Sequence, residues 1–317
     1  MSNTTNIDSW CIVEEGFNPE NQAISDALFA LGNGQIGQRG NFEEHCSSAI
    51  QVGTYMSGVF ANKPDGTNSF SNLPDWTSLK VRLNAELVDL SSCELKSFRR
   101  VINMQQGFLE RSFEIITAEG HHIEVVVQRF LSLAQQELGV IKYSVKSIDF
   151  VGHISFAPVV DGDFNAVYNT DAEPEWNVLQ SRAQREVAHL WVQTRRTNFQ
   201  VCEAISYDLF KNNVQLKTNP TKIEKQKVVG FSFGADMKAG DSVCVYKFVA
   251  MLNSLNHPYK ELTARACSKA LGAKNTGWTD LFEENSQAWM KKWESLTAEL
   301  TPESIRNEFV KLQPFIG

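Results

Sequence analysis

Glu43 and Glu44 close a segment, residues 27–44, that carries Gly32, Gly34, Gly37 and Gly40 interleaved with Asn33, Gln38, Arg39 and Asn41. Two carboxylates are the minimum equipment for acid–base cleavage of a glycosidic bond. Neighbouring residues on an extended chain point to opposite faces, so this pair is not spaced to flank one bond. It reads as polar lining, as an ion pair with Arg39 across a domain boundary, or as solvated surface. Glycine at this density lets the backbone turn sharply and be approached closely. Polar groups of both signs beside such turns suit sugar hydroxyls or the face of another domain, and Asn33, Arg39, Asn41 and Glu43 are the candidates for that contact.

Other patterns carry less chemistry. Gly32-x-Gly34-x-x-Gly37 matches the dinucleotide fingerprint, but no strand–helix–strand unit surrounds it and no acidic residue follows at about twenty positions. Asp161, Asp163 and Asn165 form an acidic turn, yet the calcium-loop pattern fails at its closing position, Ala172; a hydrogen-bonded turn is expected. His121 and His122 stand at a hairpin end, where adjacent histidines cannot both reach one metal, and His45 is a pocket candidate near Glu43. His153 and His189 lie inside strand patterns as structural histidines. No serine-hydrolase elbow, zinc-protease helix or phosphate loop is present, so neither a catalytic residue nor a metal ligand is assigned. Trp76 and Trp176 fall in loops, where an indole either stacks on a sugar ring or anchors the edge of the core.

The elements that must position these residues are strands. Apolar and polar residues alternate over residues 78–84 and 107–116, and residues 123–133 are rich in β-branched side chains, with a turn at Glu119–Gly120. Further strands are expected over 138–145, 151–157, 187–194, 199–205, 228–233 and 242–249. Strands in close succession with almost no intervening helix predict antiparallel sheets packed face to face. Residues 7–22 read as an irregular lead-in anchored by Trp10 and Phe17, and 25–31 as a short helical turn or strand entry. After a break at Asn256-His257-Pro258 the period becomes helical over 260–269 and 278–300, with Thr279 as cap and Phe282, Ala288, Trp289 and Trp293 on one side. The organisation expected is a mainly β domain over 1–255, a helical linker over 256–300 and the start of a further helical domain over 301–317.

Composition fits a globular chain of 317 residues: 42% hydrophobic, 21% charged, net charge −7. The acidic balance argues against a nucleic-acid partner. No apolar run reaches the roughly 18 residues of a membrane span, and the N-terminus lacks the basic flank and apolar core of a signal peptide, so a cytoplasmic location is expected. The cysteines at 11, 46, 93, 202, 244 and 267 form no C-x-x-C unit; they read as small hydrophobes rather than disulfides.

Several blocks occur in a fixed order: residues 25–44, Gly53-Thr-Tyr-Met-Ser-Gly58, Asn72-Leu-Pro-Asp-Trp76, residues 79–86, residues 103–113, Arg129-Phe-Leu-Ser-Leu133, Asp161-Gly-Asp163 and residues 194–200. In this order the chain resembles the N-terminal region of glycoside hydrolase family 65, over about residues 8–293, most nearly the maltose phosphorylases, with the kojibiose and trehalose phosphorylases close behind. The resemblance implies a large two-sheet antiparallel sandwich of the supersandwich, galactose-mutarotase-like kind, a helical linker and then an (α/α)6 barrel. It implies inverting phosphorolysis of an α-glucosidic disaccharide to β-glucose 1-phosphate, with inorganic phosphate as co-substrate and no cofactor. In that family the acid and the phosphate site belong to the barrel, so no catalytic residue is carried over and the chain is expected to be inactive alone. The glycine-rich block would wall the active-site mouth. Gln35 stands where an aromatic is common and Ala85 where a glycine is.

Three roles are compatible with this: the non-catalytic sandwich domain of such a phosphorylase, partnered by the barrel and an α-linked glucose disaccharide or oligosaccharide; a free-standing carbohydrate-binding module; or a structural domain supporting homodimerisation.

Overall fold

The computed structural model describes residues 4–7, 10–44, 52–62, 67–163 and 176–296, the described residues below. His45, Cys46, Asn165, Ala172 and the segment 301–317 lie outside them.

Among the described residues the fold is mainly β, with antiparallel sheets and a helical segment near the end. The largest sheet has eleven strands. Its spatial order runs Thr4–Ile7, Cys11–Glu15, Glu94–Asn103, Phe108–Ile116, His122–Leu131, Leu138–Ser147, Ser242–Asn253, Gln200–Lys211, Val187–Thr194 and Trp176–Gln184, and Val214–Gln215 pairs beside Gln200–Lys211. A five-stranded sheet packs against it in the order Thr221–Glu224, Val228–Met237, Gly152–Asp161, Leu79–Leu83 and Glu86–Leu87. Two small sheets complete the set: Leu31–Gly32, Ile36–Gln38 and Thr54–Met56 in one, Phe60–Asn62 and Asn68–Phe70 in the other.

Side-chain alternation places the core between the two large sheets. Leu79, Val81 and Leu83 are buried while Lys80 and Arg82 face water. Phe113, Val125, Tyr143, Val145, Ile205 and Val245 of the eleven-stranded sheet meet Val81, Phe156, Val229 and Phe231 of the other in one cluster. Tyr207 and Phe233 stack across the layers with centroids 4.1 Å apart. Burial of this apolar surface, at roughly 25 cal/mol per Å², is the main drive for the layered arrangement.

The outer face of the large sheet is covered as well. Helix α1 spans Gln22–Leu28, α2 Leu262–Thr276 and α3 Trp278–Leu296. On α2, Leu262, Ala266, Ala270 and Ala273 form one buried stripe against Phe130, Val140, Cys202, Ala204, Phe248 and Ala250. Alanines at helical spacing let α2 approach the sheet closely, which is why Gln200–Lys211 is buried on both faces. On α3, Trp278, Phe282, Asn285, Trp289 and Trp293 share a face. The Trp278 and Phe282 rings lie 5.3 and 5.8 Å from that of Phe130. Asn285 Nδ2 donates to Gln106 O (2.8 Å), and Trp293 Nε1 to Met104 O (2.8 Å).

Differences from the sequence expectations are local. The lead-in contains the strand Cys11–Glu15, α1 starts at its last residue and supplies the helical turn expected over 25–31, and Glu94–Asn103, Trp176–Gln184 and Thr221–Glu224 are strands that alternation did not indicate. Helix α3 begins at Trp278 after Gly277 at φ +84°, so Thr279 sits in its first turn rather than capping it. The five cysteines among the described residues are free thiols, and of these only Cys202 is fully buried; Cys11, Cys93, Cys244 and Cys267 are half-buried.

Candidate functional site

Three arginines occupy core-facing positions on adjacent strands. Arg100 stands opposite Glu14 on one side and opposite Arg111 on the other. Arg129, opposite Leu109, lies one step along the same face. All three are at most 3% exposed. Like charges in facing positions repel, and an unpaired buried cation is expensive, so the row needs carboxylates from elsewhere in the chain.

The lead-in and the glycine-rich segment supply them. Arg100 donates from Nε to Glu14 Oε2 (2.8 Å) and from Nη1 to Asp26 Oδ1 (3.2 Å) and Gly40 O (3.1 Å). Arg111 Nη2 donates to Glu43 Oε2 at 2.8 Å, and both its terminal nitrogens grip the two oxygens of Glu44. Arg129 Nη1 lies 2.8 Å from Glu43 Oε1; the same group donates to Asn41 O (3.1 Å), and Nη2 to Arg39 O (3.0 Å). Phe42 is wedged between Arg100 and Arg111, its centroid 5.2 and 4.2 Å from the two guanidinium carbons, adding cation–π attraction in a dry setting.

The sequence expectation of an ion pair with Arg39 is therefore corrected. Glu43 and Glu44 share Arg111, and Arg129 completes Glu43. Arg39 is buried and donates from Nη2 to Ala23 O (2.8 Å). The residues after Gln38 lie in no regular strand, so strict alternation does not apply to the adjacent glutamates. Burial opposes the charge on Glu43 most strongly, yet Arg129 and Arg111 together hold its carboxyl below the usual range. Burial dominates at Asp26, raising it to about 6 against Arg100, Arg39 and Arg129.

The other candidates of this segment are also turned inward. Leu31–Gly32 and Ile36–Gln38 form an antiparallel hairpin rather than a phosphate-binding strand–helix turn. Asn33 closes it: Oδ1 accepts from Ile36 N (2.8 Å), and Nδ2 donates to Ser132 O and Gln136 O (both 2.9 Å). Asn41 Oδ1 accepts from Gln38 Nε2 (2.8 Å), and Nδ2 donates to Thr77 Oγ1 (2.9 Å). Gly40 is required because a Cβ there would stand 2.8 Å from Phe29 Cβ. Only Gly32 and Gly34 of the segment up to Glu44 are exposed. Asn33, Arg39, Asn41 and Glu43 thus fix the backbone from beneath.

Trp76 and Trp176 are 0% and 2% exposed. Trp76 packs so tightly on Gly139 that a Cβ there would sit 2.7 Å from its ring, and Trp176 Nε1 donates to Asn72 O (2.9 Å). Both indoles are enclosed by the chain's own apolar surface, so the stacking face proposed for a sugar is covered; Trp76 anchors its own loop, whereas Trp176 opens the strand Trp176–Gln184 rather than lying in a loop and holds the loop at Asn72. Asp161 and Asp75 exchange backbone hydrogen bonds (2.7 and 2.9 Å), and Asp163 N donates to Asp161 Oδ1 (2.8 Å), a closed turn.

Sequence reasoning missed a second buried group. Lys247 Nζ donates to Ser78 O (2.8 Å) and Val159 O (2.7 Å), and burial lowers it to about 7 although Asp75 and Glu203 favour its charge. Glu203 is fully enclosed and raised well above the carboxylate range, by burial first and then by Asp75. These sit on core-facing strand positions, where hydrophobicity patterns look only for apolar residues. An open cleft of about 680 Å³ lined by Gln184, Arg185, Glu186, Val187, Lys222 and Leu271 contains none of these groups. No described helix is long and apolar enough to cross a membrane.

Fold and site together define a large sandwich domain in which buried ion pairs clamp a glycine-rich segment to the sheet. Residues 12–292 match the family model for the N-terminal domain of glycosyl hydrolase family 65, and the chain belongs to that family. It is similar to the α,α-trehalose phosphorylase of Thermoanaerobacter brockii, 25% identical over 90% of this chain and 39% of that protein. It is also similar to the maltose phosphorylase of Bacillus subtilis, 25% identical over 93% and 40% respectively. The fold is shared with the solved structure "Putative kojibiose phosphorylase from human microbiome" at TM-score 0.81 and 20% identity, covering 92% of this chain and 39% of that one. The chain spans about two fifths of the length of these proteins.

Proposed function

We propose that this chain is the non-catalytic sandwich domain of a maltose-phosphorylase-like enzyme. In that reading the reaction is inverting phosphorolysis of an α-glucosidic disaccharide to β-glucose 1-phosphate and glucose. The acid and the phosphate site are carried by a partnering (α/α)6 catalytic domain, and this domain shapes the mouth of that site. Its part is the glycine-rich hairpin: Gly32 and Gly34 offer exposed backbone, while Asn33, Arg39, Asn41 and Glu43 hold that backbone in place.

One observation carries the reading. The carboxylates that sequence pattern singles out, Glu43 and Glu44, are bound by Arg111 and Arg129 in the dry interior. A general acid must keep a proton and meet the leaving oxygen; Glu43 is held charged by two guanidiniums, and Glu44 is buried in its ion pair with Arg111, where no leaving group reaches it.

The test is phosphorolysis by the chain alone and in mixture with a separately produced family 65 catalytic domain. With maltose and phosphate, the chain alone is expected to give no glucose 1-phosphate, and its addition is expected to raise the turnover of the catalytic domain. Robust turnover by the chain alone overturns the assignment.

A further inference from the structure

We propose that Glu86, Glu119 and His121 form a binding site for a divalent cation of the zinc class, tying the two sheets of the sandwich together at one end. Glu86 belongs to the short strand Glu86–Leu87 of the five-stranded sheet. Glu119 and His121 lie in the turn joining Phe108–Ile116 to His122–Leu131 in the eleven-stranded sheet. One ligand atom from each residue, two carboxylate oxygens and an imidazole nitrogen, all fall within 4.8 Å of one another.

Two of the three ligand atoms already stand near coordination spacing. His121 Nε2 lies 3.6 Å from Glu119 Oε2. Ligands about 2.1 Å from a tetrahedral metal are separated by about 3.4 Å. His121 Nε2 makes no hydrogen bond among the described residues, and the side chain is 25% exposed, so an ion can reach the imidazole. The Glu86 carboxylate is oriented from behind: Oε2 accepts from Thr117 Oγ1 (2.6 Å) and Oε1 from Glu119 N (3.1 Å). Each oxygen keeps a further lone pair. The same Thr117 Oγ1 accepts from His121 N (3.2 Å), and the His121 ring packs edge-on to Phe150 with centroids 4.8 Å apart. The partners of Glu86 and the ring contact of His121 supply part of the outer shell a metal site requires, and the exposed Glu119 carboxylate is free to swing onto the ion. Gly120, at φ +87°, makes the turn that returns Glu119 and His121 to one side.

The donor set selects the ion. One imidazole and two carboxylates suit Zn²⁺, and related ions such as Co²⁺, better than Ca²⁺, which takes six to eight oxygens, or Cu(I), which prefers sulfur. Two carboxylates with a neutral imidazole carry charge −2, which a divalent cation balances.

The experiment titrates the full chain, after EDTA treatment and dialysis, with ZnCl₂ and CaCl₂ by calorimetry, and follows Tm in parallel. Zn²⁺ is expected to bind 1:1 at micromolar concentration and to raise Tm, with at least tenfold weaker binding of Ca²⁺. His121→Ala, Glu119→Gln and Glu86→Gln should each weaken Zn²⁺ binding at least tenfold while matching the parent Tm in EDTA. Co²⁺ should give visible bands without a thiolate charge-transfer band, excluding Cys93 and the other thiols. Absence of 1:1 binding, binding unchanged in all three variants, or a thiolate band would overturn the proposal; a variant that loses stability even in EDTA is replaced by His121→Gln and read the same way.

Discussion

Arg129 and Glu43 lie 86 positions apart in sequence, yet Nη1 of one stands 2.8 Å from Oε1 of the other in the dry interior. Around this pair the glycine-rich segment is held by charge as well as by the buried Phe29, Leu31, Ile36 and Phe42. Removing one partner leaves the other buried and incompletely paired. Arg129→Leu is expected to cost about 3–5 kcal/mol in urea unfolding, because Asn41 O and Arg39 O also lose their donor. In a double-mutant cycle with Glu43→Gln the two losses should fail to add by at least about 1 kcal/mol. Additive losses would show that the pair is not coupled.

Gly107 makes a different prediction. Its φ of +66° disfavours any side chain, and the Trp289 indole occupies the place a Cβ would take. Gly107→Ala should destabilise by more than about 1 kcal/mol and speed proteolysis within α3. In a Trp289→Ala background the steric part disappears, so the same substitution should cost less there. Equal costs in both backgrounds would remove Trp289 from the account.

Glu203 sets a pH dependence. Burial holds its carboxyl protonated in the folded chain, whereas the unfolded chain releases the proton near its ordinary value of 4.5. The folded state therefore binds more protons above that pH, and this group costs stability increasingly as pH rises. Glu203→Gln removes the cost. The variant should gain on the parent from about pH 4.5 upward, read from urea midpoints at pH 5, 7 and 8. A gap that stays flat or shrinks with pH would refute this.

Glu137 has the opposite sign. Burial pushes its carboxyl up, but hydrogen bonds from Lys269 Nζ (2.6 Å) and His257, with their charges, bring it below 4.5. Its stabilising part is present above the unfolded value and lost as pH falls through the lower folded value. The parent should exceed Glu137→Gln in stability at pH 6, and the gap should close in the acid range below 4.5. Because Lys269 belongs to α2 and Glu137 to the turn joining His122–Leu131 to Leu138–Ser147, hydrogen exchange should show α2 loosening in the variant.

The parts of this fold readable from sequence are those in which apolar residues mark the inward face, such as Leu79–Leu83 and His122–Leu131. Glu94–Asn103 escaped because its core-facing position 100 is an arginine, and a period-two count of apolar residues scores that as surface. Arg111 in Leu109-x-Arg111-x-Phe113 carries the missing signal: a cation in step with buried neighbours implies a buried anion. The anions come from residues 14, 26, 43 and 44, joined to those strands only by tertiary folding, so local pattern names the charges but not their pairing. Family likeness located the glycine-rich block; it did not show that its polar side chains face inward.

The rings of Trp10 and Trp293 meet at 5.4 Å, and Trp293 is bonded to Met104 on the strand hairpin beside them. A portable version of this module, cut for expression or transplanted onto another protein, would need to retain the sequence through Trp293. Cutting at the end of the last long strand would strip Phe130, Val140 and Phe248 of their cover and hand the excised piece an adhesive flank.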